Sequence, residues 1–137
     1  MLAFDFGTRR VGVAVGNTLT RVANPLATID ATRAPERLAQ IAALVSEWQP
    51  ALLVVGIPVH ADGTPHAMTE RARRFARELA TRFGVPVAHA DERHTTQLAQ
   101  SALDASGAGR SGRAQRDAIA ARMILQGWFD EHGAADS

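Results

Sequence analysis

The chain opens with MLAFDFGTRRVGVAVGN, residues 1–17. Apolar, β-branched and aromatic residues fill positions 2–6 and 11–15, and Gly7-Thr8-Arg9-Arg10 separates them, so the stretch reads as a hairpin of two strands. The first strand nevertheless carries a carboxylate, Asp5, between Phe4 and Phe6. A strand of this kind belongs at the centre of a core, where an uncompensated carboxylate is costly. Asp5 must therefore meet a cation, accept hydrogen bonds from turn amides, or lie at the wetter end of its strand. An ion pair with Arg9 or Arg10 is one solution, and a bound metal ion is another.

Working outward, Pro25–Ile29 is a plausible third strand. The period then changes: Leu38, Ile41, Ala42, Val45 and Trp48 follow helical spacing, with Pro35 suited to a first turn and Pro50 ending the helix. Ala51–Val55 is apolar throughout, as in a parallel strand covered on both faces. Thr64-Pro65 reads as the cap of a second helix, whose stripe is Met68, Ala72, Phe75, Ala76, Leu79 and Phe83, and Gly84 closes it. Val85–His89 is a further strand. A third helix is expected from Thr95 or Thr96 to Gly107, and a last one from about Arg113 to Glu131. The order β-β-β-α-β-α-β-α-α predicts an α/β fold. Its five-stranded mixed sheet has a three-strand antiparallel meander, two parallel strands and helices on both faces. No repeat or linker divides the chain, which reads as one domain over residues 1–137. DASGAGRSGRAQR (104–116) is the one glycine-rich, low-complexity stretch.

Bulk composition narrows the function. With 137 residues, 46% of them hydrophobic, the chain can bury a substantial core. It has no cysteine, which excludes disulfides and thiolate zinc and fits a cytoplasmic location. No run is long enough to span a bilayer, and Asp5, Arg9 and Arg10 interrupt what would otherwise resemble a signal peptide. The net charge is +1 and all 15 basic residues are arginine. Nucleic-acid binding would then need a local basic patch rather than a global field.

Two further carboxylates stand out. HADERHTT (89–96) follows the last predicted strand, and open α/β sheets place ligands beyond the carboxyl ends of their strands. Glu92 is well placed there, whereas Asp91 and Glu92 would face opposite sides if the strand continued. An exposed pair with Arg93 is the plain alternative. Asp117 opens DAIAARMILQGW (117–128) and shares a helical stripe with Ala114, Ala121, Ile124, Leu125 and Trp128. It should point at the sheet, although an acid near a helix start is also favoured by the helix dipole. Asp5, Glu92 and Asp117 come from separated segments at the edge of one sheet, which suggests a site for Mg²⁺ or Mn²⁺, since hard oxygen donors select these ions. Two such ions about 4 Å apart can activate water and stabilise the leaving oxygen in phosphodiester hydrolysis. None of the five histidines has zincin spacing, and His89 and His94 read as edge residues.

Four segments in order, DFGTRRVGVAVG (5–16), VVGIPVHADGT (54–64), ADERHTT (90–96) and DAIAARMILQGW (117–128), resemble the YqgF/RuvX family, the pre-16S rRNA nucleases related to Holliday-junction resolvases. The resemblance covers nearly the whole chain. It implies a ribonuclease H-like fold, metal-dependent nuclease activity and a role in maturing the 5′ end of small-subunit ribosomal RNA. The family's acidic positions match Asp5, Glu92 and Asp117. Gly56-Ile57-Pro58 would turn the chain over the site, and Asp62-Gly63-Thr64 would form a turn at a helix start.

The expected partner is nucleic acid, precursor rRNA foremost and branched DNA as the alternative, with the small ribosomal subunit as a further partner and no membrane. The protein is expected to be a monomer or a weak homodimer. Arg110, Arg113 and Arg116 are the leading phosphate contacts, and Arg9 and Arg93 complete the set. The second helix carries Arg71, Arg73, Arg74, Arg77 and Arg82, but pairing of Glu70 with Arg73 or Arg74, and of Glu78 with Arg82, would make it an ordinary solvated face. Scarce aromatic residues favour recognition of backbone and shape over base stacking. Two rival functions remain. DFGTRRVGVAVG also resembles the first phosphate loop of actin-like ATPases and sugar kinases, although those enzymes use two such domains. A non-catalytic RNA-binding assembly factor could keep the same carboxylates for folding.

Overall fold

The computed structural model describes residues 1–7, 9–29, 33–58, 64, 67–91 and 112–132. The opening hairpin is present, β1 (Leu2–Phe6) against β2 (Val11–Asn17). It continues into β3 (Val22–Ile29), which pairs antiparallel with β2. Helix α1 (Ala34–Trp48) then leads to β4 (Leu53–Ile57), α2 (Thr69–Phe83) to β5 (Val87–Asp91), and the last described element is α3 (Gly112–His132). The sheet order is β3-β2-β1-β4-β5, with β4 parallel to both β1 and β5. This is the expected meander plus two parallel strands. The helix expected between Thr95 and Gly107 lies outside the described residues.

Alternation along the strands divides the core into two layers. Leu2, Phe4, Val11, Val13, Leu53, Val55 and Ile57 point to one face, where Ile41 of α1 and Ala72, Phe75, Ala76 and Leu79 of α2 cover them. Phe75 anchors this layer, its ring 4.7 Å from that of Phe6 and 6.0 Å from that of Phe4. Burying a side chain of this size contributes about 2–3 kcal/mol. The other face carries small residues, Ala3, Ala14 and Ala23 with Val54, and it receives Ala121, Ile124, Leu125 and Phe129 of α3. Small residues on the strands let α3 lie close across β1, β2 and β3. The amide of Ala23 donates to Gln126 Oε1 at 3.1 Å, and Gln126 Nε2 donates to the Arg21 carbonyl at 3.0 Å, tying the far end of α3 to the second hairpin.

Several boundaries differ from expectation. β4 and β5 each begin two residues later than predicted, at Leu53 and Val87. Pro86 stands immediately before β5; its carbonyl accepts from Leu53 N–H, but proline has no amide to give to a ladder. β3 starts earlier, at Val22, and holds Pro25 within it, which is tolerated because β3 is an edge strand and the register shifts at Val13/Ala14. Helix α2 starts at Thr69, after Met68, rather than at Thr64-Pro65. Trp48, placed on the inward stripe of α1 by spacing, is 44% exposed at the helix's last residue. Gly84 does close α2, in the left-handed conformation at φ 65°. No helix among the described residues is long and apolar enough to cross a membrane.

Candidate active site

β1, β4 and β5 are mutually parallel, so their carboxyl ends share one edge of the sheet. All three described helices begin there. α1 follows β3, whose last residue Ile29 pairs with Val11 at the start of β2. α2 starts beside the end of β4, where buried Thr69 donates its hydroxyl to the Pro58 carbonyl. That bond anchors the end of β4 to the helix; the turn expected at Gly56-Ile57-Pro58 does not begin at Gly56, because Gly56 and Ile57 still pair with β5 and only Pro58 lies beyond the strand. α3 starts near the β1–β2 turn, as its contact with Gly12 shows. Helix N-termini carry partial positive charge, so the edge favours anions.

Asp5 is the next-to-last residue of β1 and is half-buried. Strand parity puts it on the face of Ala3, which is the α3 face. Its cross-strand partner is Gly12, with facing Cα atoms about 5 Å apart by antiparallel geometry. Above Gly12 lies the backbone of Asp117: a Cβ built on Gly12 would stand 1.9 Å from the Asp117 carbonyl oxygen. The glycine is required by this approach, which seats Asp117 over the strand pair that holds Asp5. Two acidic residues distant in sequence thus lie at one edge and on one face.

Arg10 closes the group. Its Nε donates to Asp117 Oδ2 at 2.6 Å, with the two side chains 31% and 22% exposed. A charge-assisted bond of this length fixes the Asp117 carboxylate. The expected ion pair of Asp5 with Arg9 or Arg10 is thus partly redirected, since Arg10 reaches Asp117. Asp5 is itself engaged rather than free. The dipole explanation for Asp117 loses force, because α3 begins at Gly112 and has no acid in its first turn. Asp117 sits past that turn, with Ala118 and Ala121 buried on the sheet side.

Glu92, Arg93 and Arg110 lie outside the described residues. Of Arg113 only the backbone, in the first turn of α3, is described. Arg116 is exposed on the second turn of the same helix. Asp91 belongs to β5, not to the loop after it, and Ala90 packs with the α3 layer. Among the described residues no three His, Asp or Glu side chains cluster closely enough to hold a metal ion; the described part supplies the Asp5 and Asp117 carboxylates. Sequence reasoning missed Gly12 as the seat of Asp117 and Arg10 as its partner. A signal was present: Gly12, Ala14 and Gly16 alternate along β2, and such a stripe of small residues marks the face where a helix comes close.

A family model described as "RuvX: Holliday junction resolvase" matches residues 1–131. The chain is 50% identical over 137 residues to a Chromobacterium violaceum protein named "Putative pre-16S rRNA nuclease", covering 98% of this chain and 99% of that one. It is 54% identical over 136 residues to a protein of the same name from Nitrosomonas europaea, covering 98% and 92%. Among solved structures it is similar to RuvC of T. thermophilus in complex with a Holliday junction substrate. The TM-score is 0.56 at 18% identity, covering 97% of this chain and 96% of that chain. At that identity the likeness speaks for a shared fold, the ribonuclease H-like one.

Proposed function

The chain belongs to the RuvX family, and from that premise we propose that it is a metal-dependent nuclease that matures the 5′ end of precursor 16S rRNA, with Asp5, Glu92 and Asp117 as its acidic set. It is a phosphodiester hydrolase whose substrate is nucleic acid. The observation that carries the site is the seating of Asp117 on Gly12, directly across the ladder from Asp5. Arg10 sets one positive charge against the two carboxylates, and a divalent cation would offset the like-charge repulsion that remains.

The donors fit a hard divalent ion: two carboxylates on one face, with Arg10 on a single oxygen of Asp117 and the second oxygen not committed to it. Glu92 follows Asp91, the last residue of β5, in the sequence. That connectivity supports it as the third donor. When bound, Mg²⁺ or Mn²⁺ supplies Lewis acidity and a more acidic water. The chain's own part is positional. Gly12 lets Asp117 descend to the sheet, Arg10 holds its carboxylate in one orientation, and the helix N-termini favour an approaching phosphate. Arg116, with Arg9, Arg93, Arg110 and Arg113, would hold the backbone around the edge. The protein acts in the cytoplasm as a monomer or weak homodimer, on RNA presented with the small ribosomal subunit.

The family's description supports a second reading, resolution of branched DNA. Labelled precursor rRNA and a four-way DNA junction, incubated side by side with Mg²⁺, Mn²⁺ or EDTA, separate the two. Cleavage of the rRNA at its 5′ end, abolished by EDTA and by Asp5→Asn, is the expected result. Symmetric junction cleavage alone would favour the resolvase. Binding of RNA with no cleavage under any metal would leave an assembly factor, and ATP binding by calorimetry would revive the kinase-like rival.

A further inference from the structure

Helix α2 concentrates positive charge far out of proportion to the rest of the chain. Five of the 15 arginines lie on this one helix, with only Glu70 and Glu78 against them, while the whole protein carries a net +1. All five arginines are exposed. The pairing expected from helical spacing, Glu70 with Arg73 or Arg74 and Glu78 with Arg82, would have offset two of the five. The structure distributes the acids differently. Glu70 Oε1 accepts from Arg77 Nη2 at 3.1 Å, two turns away, and both side chains remain about 60% exposed (61% and 60%). Among the described residues no ion pair holds Arg74 or Arg82. The helix's positive charge is felt at Glu70, whose carboxyl is held below its ordinary range by the Arg77 hydrogen bond first and then by the charges of Arg77, Arg73 and Arg74.

These side chains border an open groove of about 480 Å³, lined by Leu38 of α1 and by Arg74, Arg77, Glu78, Thr81 and Arg82 of α2. It lies on the α1–α2 face, opposite the α3 face that carries Asp5 and Asp117. Arg74 and Arg82 are eight residues apart, so the guanidinium column runs about 12 Å along the helix. The column starts near the carboxyl edge, because α2 begins there at Thr69. The lining holds three guanidinium groups and no aromatic ring, which suits phosphate oxygens and not stacked bases. The exposed large hydrophobic residues that could anchor a protein partner, Leu19, Val22 and Trp48, line no part of the groove.

We propose that the groove between α1 and α2 binds the phosphodiester backbone of single-stranded RNA, through Arg74, Arg77 and Arg82, as the strand leaves the carboxyl edge. The inference rests on the nuclease reading for the identity of the strand, but its test is binding and not cleavage. Each phosphate neutralised on a single strand contributes about 0.7 to the slope of log affinity against log salt. Replacing the three arginines together by alanine should lower the slope for a long single-stranded RNA by about 2, and lower affinity about tenfold or more at low salt. Replacing all three by lysine should keep most of the slope. Binding of a dinucleotide, too short to reach the groove from the edge, should not change. The positions are exposed, and an unaltered melting temperature checks that the fold is kept. An unchanged slope on the long RNA overturns the proposal, as does failure of the wild-type protein to bind that RNA at low salt; a groove that serves an acidic protein would give the first of these results. Loss of slope in a protein that cuts nothing would uphold the groove and sink the nuclease reading, whereas normal cutting with an unchanged slope would do the reverse.

Discussion

Gly12 and Asp117 show how much of the candidate site hangs on single atoms. A methyl group on Gly12 would overlap the Asp117 carbonyl at 1.9 Å, and the obstacle is backbone that cannot rotate away. Gly12→Ala should therefore destabilise the fold by about 3 kcal/mol, the upper end for overpacking, and lower the melting temperature by about 10 °C for a domain of this size. Calorimetry reads this directly, and a shift under a degree or two would mean that α3 does not sit where it is described. Asp117→Asn separates chemistry from architecture. The amide keeps the volume but loses the charged bond to Arg10, a partly exposed pair worth about 1 kcal/mol. Stability in EDTA should fall by no more than that, while cleavage of precursor rRNA falls by orders of magnitude. A variant that cuts normally would remove Asp117 from the acidic set. The sequence already showed that Asp5 and Asp117 were misplaced for ordinary core and surface residues, because a carboxylate in an apolar strand or stripe breaks a pattern. It did not reveal their common neighbour, since a glycine in a turn-rich strand has many local explanations and only the tertiary approach selects one.

At the scale of elements, Thr69 connects the second crossover to the edge of the sheet. Its buried hydroxyl donates to the carbonyl of Pro58, so the end of β4 and the start of α2 move as one piece. Thr69→Val keeps the shape and strands that carbonyl without its donor, which should cost about 1–2 kcal/mol. Urea unfolding should show a lower midpoint at an unchanged slope; an unchanged midpoint would mean that water replaces the hydroxyl. The hairpin, the two crossovers and the final helix were all legible, because periods of 2 and 3.6 are properties of the chain alone. Boundaries were not. β4 and β5 each began two residues later than their apolar runs, β5 just past Pro86, and Val85 and Ala51 look no different in composition from the strand residues that follow them. Trp48 completed a helical stripe in sequence but came out exposed, because spacing assigns a face and says nothing about where the sheet ends beneath it. The ion pairs of α2 were misassigned for a related reason: three or four residues of separation makes a pair feasible, and long exposed side chains choose among several feasible partners.

The molecule as a whole is polar along its strands. The carboxyl ends of three parallel strands, the starts of the three described helices and the acidic residues Asp5 and Asp117 occupy one end. The opposite end carries the second hairpin and α1's last residue, with Leu19, Val22 and Trp48 exposed. If the first end holds a divalent ion, global stability must report it, because an ion that binds only the folded chain stabilises it by mass action. At a free Mg²⁺ concentration about a hundredfold above its dissociation constant, the gain is about 2.7 kcal/mol. Asp5→Asn tests this without reference to cleavage. In EDTA the variant should hold or gain stability, because one of two neighbouring like charges is gone. On adding Mg²⁺ the wild-type protein should melt several degrees higher, about 2–4 °C or more per kcal/mol, and the variant should barely move. Ca²⁺ should stabilise the wild type as well but support little turnover, since its looser coordination positions an attacking water poorly. Equal Mg²⁺ stabilisation of wild type and Asp5→Asn would place the ion elsewhere, and the carboxylate in the central strand would then need Arg10 or the turn amides as its only compensation.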